Sequence, residues 1–341
     1  MKIIFNKNKV LTFIFLNLLF IAYYFINYNA EVWDRIADPI YYIEKARYIS
    51  ENYPLFDRLP DIPNIVLFIN APHFLYYLLL AYSKNLFKYP IFTLQYILFI
   101  SSLIQLYLLL NYNNIKNQSI NLISIVIGSG LIFWGSIPLK ESLLANLYLL
   151  MYRFLFIKQN NIYKLVYLII IFFMISITRF WYPLFLLVNI FITFSIPIFI
   201  KSLKTLKIKK IYLLLLPILS FILFNINDFL FRVRFNPLLI IKNIISPNPF
   251  NLLFNENFLY IPSAILFKFI LLFSILIFYK NFKKIIFNYQ LSFLFYNYLL
   301  TMVALADSVA RGERHKFLAL LSLSLFLALS KSQKAEIKQN N

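Results

Sequence analysis

The side chains best able to do chemistry in this chain are carboxylates and guanidiniums placed at the ends of long apolar runs. Asp38, Glu141, Asp228, Glu256, Asp307 and Glu313 stand at the same level as Lys140, Arg179, Arg232, Arg234, Arg311 and Arg314. A carboxylate held in a fixed position can take the proton of a reacting hydroxyl. An arginine presents a planar fork of donors that meets a phosphate through two parallel hydrogen bonds. An ionisable group in hydrocarbon costs about 2.5–3.5 kcal/mol or more at mid-bilayer, so placement near a span end carries information. With no cysteine there is neither a thiolate metal site nor a disulfide scaffold, and His73 and His315 alone nearly exclude a multi-histidine site.

Each candidate has a plain reading beside its functional one. Asp38 precedes Pro39, which suits the first turn of a helix, so Asp38 reads as an N-cap. A cap also fixes the carboxylate, so that reading is compatible with a general base. Lys140-Glu141 tips a turn at Gly135–Ser142, either as a solvated charge pair or with Glu141 as a second carboxylate facing the same cavity as Asp38. Arg179, among the aromatics of Thr178–Pro183, either snorkels or binds an anionic head group. Arg311, Arg314 and His315 form a tight polar loop suited to a phosphate or pyrophosphate, or else pair with Asp307 and Glu313. His73, beside Pro72, reads as structural or catalytic, the former being commoner.

The elements that must position these residues are membrane helices. Hydrophobic residues make up 61% of the 341 positions and charged ones 13%, with mean hydropathy +0.74. Soluble domains run to about 45–50% apolar and about 25% charged, so neither an ordinary globular protein nor a disordered chain fits. The net charge of +20 resembles that of a nucleic-acid binder. Its distribution argues against that, because the excess is mostly lysine in short gaps between apolar runs, where cytoplasmic loops collect it.

A hydrocarbon core of about 30 Å takes roughly 20 apolar residues per helix. The expectation is an all-α polytopic membrane protein with about ten transmembrane helices and an outer interfacial helix. The spans are placed at Val10–Tyr28, Pro90–Leu110, Ile120–Gly135, Leu143–Ile157, Leu165–Trp181, Leu184–Ile200, Ile211–Asp228, Leu259–Tyr279, Phe287–Ala306 and Phe317–Ser330. Residues 1–341 form a single transmembrane domain on this reading. It has a first outer loop at 29–64, an interfacial helix at 70–83, a second large outer loop at 229–258 and a cytoplasmic tail at 331–341. With both termini cytoplasmic, seventeen lysines and Arg153 fall inside against Glu336 alone. The outer side then holds 15 bases and 12 acids, seven of them in the first outer loop. The expected location is the bacterial cytoplasmic membrane, with the polar helix ends outward.

Four pieces follow one another along residues 10–160 and 307–320. They are Asp38…Tyr41-Tyr42…Ala46-Arg47, then Ala71-Pro72-His73-Phe74-Leu75-Tyr76-Tyr77, then Pro138 to Glu141, and late in the chain Arg314-His315. Their order resembles the GT-C superfamily of membrane glycosyltransferases, of the protein O-mannosyltransferase and aminoarabinose-transferase type. Pro39 stands where the second acid of an Asp-Glu pair is common, Ala71 replaces a proline, and Glu141 replaces a commoner Asp. The expected chain also lacks a C-terminal soluble domain, which argues against oligosaccharyltransferase-type activity.

The resemblance implies an enzyme that moves a sugar, with inversion, from a polyprenyl-phosphate-linked donor to a glycan, lipid or protein acceptor at the outer face. By the same resemblance Asp38 is the base and Glu141 supports it or binds the acceptor. Arg179, Arg311, Arg314, His315, Tyr41 and His73 are the substrate- and phosphate-binding candidates. No metal or other cofactor is expected to be required, although some superfamily members use a divalent cation. The alternatives are a Wzy-type polysaccharide polymerase, which shares the lipid-linked substrate, and a lipid-linked sugar flippase or other transporter.

Overall fold

Long apolar stretches with few glycines favour helix throughout, because every backbone amide can then be satisfied within its own segment. The computed structural model describes residues 7–29, 37–52, 73–156, 162–179, 182–206, 244, 258–304 and 313–337, and the regular elements among them are helices. Four of these are long and apolar enough to cross a membrane: Lys7–Asn29, Pro90–Tyr112, Tyr182–Lys201 and Ile261–Lys280. The chain is thus an α-helical membrane protein. By packing it falls into two compact units, Met1–Pro183 and Leu184–Asn341.

The first unit holds α1 (Lys7–Asn29), α2 (Ala37–Asn52), α3 (Phe74–Leu86), α4 (Pro90–Tyr112), α5 (Gln118–Gly128), α6 (Leu131–Gly135), α7 (Glu141–Phe156) and α8 (Ile162–Thr178). α3 packs on α2, α4 and α8, while α7 lies between α4 and α8. On α2 the buried residues Tyr42, Ala46 and Ile49 follow the i, i+4, i+7 spacing of one helix face. That face packs on α3, where Tyr42 meets Tyr76 and Tyr77, so the segment between the first two spans carries an amphipathic helix. The expected interfacial helix at 70–83 is α3, displaced to Phe74–Leu86, and 70–72 lie outside the described residues.

Between helices in lipid there is no hydrophobic driving force, so close packing and interhelical hydrogen bonds hold them, the latter at about 0.6 kcal/mol each on average. α4 and α7 are joined by such a seam. Asn146 Nδ2 donates to the Leu98 carbonyl at 2.6 Å and to the Ser142 carbonyl at 3.0 Å, while Gln105 Nε2 donates to Asn146 Oδ1 at 3.0 Å. Asn27 Nδ2 of α1 donates to Ser136 Oγ at 2.6 Å, after α6.

Several expectations need correction. The span drawn at Ile120–Gly135 is not one helix: α5 stops at Gly128, and α6 starts after Gly130, whose φ of 76° is left-handed. A glycine takes that conformation without a Cβ clash, and the chain turns there. α7 and the helix Tyr289–Ala304 are present, yet their 16 residues each rise only about 24 Å, short of the roughly 30 Å of hydrocarbon. The count of ten is therefore not what the described residues support. The proposed span at 211–228 and, apart from Ile244 and Phe258, the outer loop at 229–258 lie outside the described residues.

The second unit holds α9 (Tyr182–Leu206), a 3-10 turn at Phe258–Tyr260, α10 (Ile261–Lys280), α11 (Phe282–Ile286), α12 (Tyr289–Ala304) and α13 (Glu313–Ile337). α13 packs on α10 and α12. Asn189 Nδ2 donates to the Phe293 carbonyl at 3.1 Å, and Asn297 Nδ2 to Ser322 Oγ at 2.6 Å, tying α9 to α12 and α12 to α13. Arg314 and His315 belong to the first turn of α13, so they do not form the tight loop expected of them. The same helix runs to Ile337, through most of the segment expected as a tail.

Candidate functional site

Four helix ends of the first unit supply one polar cluster. The first is the start of α3, where His73 is the N-cap residue with φ 86°. Histidine is among the few non-glycine residues enriched in this region. Its carbonyl accepts from the Tyr76 and Tyr77 amides at 3.0 and 3.3 Å, which launches the helix. The left-handed turn leaves the imidazole between two other elements. Nδ1 lies 3.0 Å from the Thr178 carbonyl at the C-terminus of α8, and Nε2 lies 2.7 Å from Lys140 Nζ.

These two contacts assign the tautomer. A carbonyl can only accept, so Nδ1 carries the proton and donates it to Thr178, and Nε2 accepts from the Lys140 ammonium. The donation also satisfies a carbonyl left open by the end of α8.

Lys140 is the residue before α7, and its carbonyl accepts from the Leu144 amide at 2.9 Å. A cation is unfavourable at a helix N-terminus, so the ammonium must find acceptors elsewhere. Besides His73 it donates to Tyr42 Oη at 3.0 Å, and it stands 5.6 Å from the centre of the Tyr42 ring. Tyr42 packs edge-on against His73 and Tyr76 with both ring centroids at 5.6 Å, which closes the cluster with α2.

Glu141 is the first residue of α7, where a negative charge suits the helix dipole. Lys140 and Glu141 are 4% and 2% exposed, so the reading of a solvated surface pair is overturned. The turn at Gly135–Ser142 is buried throughout, with α1, α4 and α5 packed on α6, and Tyr42 and His73 set against Lys140. Ser142 Oγ donates to Gln95 Oε1 at 2.9 Å, and Gln95 Nε2 donates to Tyr76 Oη at 2.5 Å. Burial first, and then the charge of Glu141, push the Tyr76 phenol well above the ordinary tyrosine range, so it keeps its proton.

The sequence-derived candidates distribute as follows. His73 is in the cluster, Glu141 adjoins it through Lys140, and Arg179 adjoins it through Thr178 and is itself buried. Asp38 lies in the first turn of α2, one helical turn before Tyr42. Tyr41 is half exposed at the rim, with Lys45 Nζ 5.5 Å from its ring centre. Arg314 and His315 belong to the second unit, and Arg311 lies outside the described residues. Among the described residues no three histidine, aspartate or glutamate groups gather as metal ligands. The cluster offers an amine, a phenol, an imidazole and one carboxylate, a set suited to protons and hydrogen-bonding groups.

The sequence offers Lys140 only as one half of a charge pair, and gives Tyr76, Gln95 and Thr178 no site role of their own. One signal was legible for Gln95, since an amide in an apolar run must find a partner. Nothing local could pair Lys140 with a histidine 67 residues away.

Fold and site together define an α-helical membrane protein with a buried polar cluster at its helix ends. Compared with protein-family models, curated proteins and solved structures, the chain finds no match.

Proposed function

We propose that this protein is a membrane glycosyltransferase of the GT-C kind, moving a sugar from a polyprenyl-phosphate-linked donor to an acceptor at the outer face of the membrane. The observation that carries the reading is the meeting of α2, His73, Lys140-Glu141 and Thr178-Arg179 at one cluster. Three of these segments hold the pieces whose order resembles that superfamily, and they are far apart in sequence.

In this reading the acceptor hydroxyl loses its proton to a carboxylate as it attacks the anomeric carbon, and the lipid phosphate leaves with the bonding electrons. Asp38 is the base, with Glu141 supporting it or binding the acceptor. Arg179 meets the phosphate, whose departing charge a fixed cation stabilises. An outward site and a bacterial cytoplasmic membrane complete the proposal.

The test is sugar transfer by purified protein given a membrane lipid extract. Asp38→Asn keeps the shape and caps about as well as Asp, so the fold should survive while transfer falls roughly 10²–10⁴-fold. Near-normal transfer by Asp38→Asn moves the base to Glu141.

One observation favours a carrier of lipid-linked sugar instead. α5 and α6 are two pieces interrupted at Gly130, and discontinuous helices are a habit of transporters. Lipid flipping by wild type without any transfer would establish that reading.

A further inference from the structure

Glu141 is 2% exposed, and its Oε2 meets no hydrogen-bond donor among the described residues. A buried carboxylate oxygen left without a donor is costly, and such an atom implies a partner other than the described side chains.

Tyr76 is the complementary group. It is fully buried, and it is linked to the start of α7 through Gln95, which takes the Ser142 hydroxyl at 2.9 Å and donates to Tyr76 Oη at 2.5 Å. With Gln95 so oriented, Tyr76 only accepts from it, and its own proton faces no acceptor among the described residues. Turning the Gln95 amide over reverses the donors along this chain, so Tyr76 can offer a guest either its proton or its lone pair. Glu141 Oε2 can only accept.

The guest must therefore donate to Glu141 and exchange in either direction with Tyr76. A hydroxyl does both. A second cation is opposed there by Lys140, the adjacent residue and itself buried, whereas a hydroxyl adds no charge.

We infer that Tyr76 and Glu141 together bind one hydroxyl group, that of an alcohol acceptor or of a water molecule, with Gln95 as the positioning residue for Tyr76. The alcohol source rests on the transferase reading, and the water source does not.

Thermal midpoints of the full chain, in a detergent without a sugar head group, test the inference. Tyr76→Phe removes only the hydroxyl, and Glu141→Gln keeps the shape of the acid. If one guest links them, the double variant loses clearly less than the two single losses added together. Fully additive losses overturn the inference. Gln95→Leu should lower the midpoint less in Tyr76→Phe than in wild type, since there only its bond with Ser142 is lost.

Methyl glycosides, added as a panel, separate the two sources. A rise in the wild-type midpoint that Tyr76→Phe lacks assigns the hydroxyl to an alcohol. Coupling with no response to any glycoside assigns it to water. Coupling in a protein that transfers no sugar removes the transferase reading and leaves the hydroxyl site in place. Should Glu141→Gln fail to fold, modification of Glu141 by a hydrophobic carbodiimide, read by mass spectrometry, replaces it. Tyr76→Phe should speed that modification several-fold, and an unchanged rate overturns the inference.

Discussion

His73 Nε2 and Lys140 Nζ lie 2.7 Å apart, joining the start of α3 to the start of α7 across 67 residues of sequence. Because Nδ1 is committed to the Thr178 carbonyl, the imidazole can only accept from the lysine. Removing the ring leaves a buried ammonium short of one acceptor, so His73→Ala should cost roughly 1–3 kcal/mol. In a Lys140→Met background the same change should cost clearly less. Thermal unfolding of the four proteins in detergent measures this, and additive losses would show that the contact carries no coupling.

Gly130 and Gly135 sit five residues apart and should respond oppositely. Gly130 has a left-handed φ of 76°, so Gly130→Ala should destabilise by about 1–2 kcal/mol. A Cβ on Gly135 would meet Phe20, Phe99 and Ser142 no closer than 3.6 Å, which is ordinary contact. Gly135→Ala should therefore be neutral or slightly stabilising, because it also reduces unfolded-state freedom. Equal losses at both sites would contradict the break between α5 and α6.

Asn146 makes two hydrogen bonds across the seam between α4 and α7, and a third within α7 to the Ser142 carbonyl. Asn146→Leu fits the apolar surroundings but leaves Gln105 and the Leu98 carbonyl short of partners. At about 0.6 kcal/mol per interhelical bond, and at most about 1.7, a loss of roughly 1–3 kcal/mol is expected. Urea or heat titration in detergent reads it, and an unchanged midpoint would mean the seam does not hold the two helices together.

The chain has no cysteine, so single cysteines report topology without background. If the polar helix ends face outward, Glu51→Cys should react with an impermeant thiol reagent on intact cells and Thr205→Cys should not. The reverse pattern would overturn the orientation, along with every residue assigned by it.

Composition by itself determined that this is a helical membrane protein. Apolar runs near 20 residues with few charges leave the backbone no other way to satisfy its amides in lipid, and α1, α4, α9 and α10 follow directly from that. Asp38-Pro39 marked the start of α2 to within a residue, because proline in a first turn is a local preference, although Asp38 stands inside the helix that begins at Ala37 rather than capping it. Hydropathy could not see the break at Gly130, since apolar residues flank it on both sides and backbone φ leaves no trace in an average. Nor could it tell a buried charge from a solvated one. In sequence, Lys140-Glu141 reads equally as a solvated pair or as a carboxylate facing a cavity, and only tertiary packing buries both residues and brings Tyr42 and His73 to the lysine and Thr178 to His73. Residue type fixes which hydrogen bonds a side chain can make, but the partner is chosen by helices that meet in space, and that choice lies beyond the reach of local sequence.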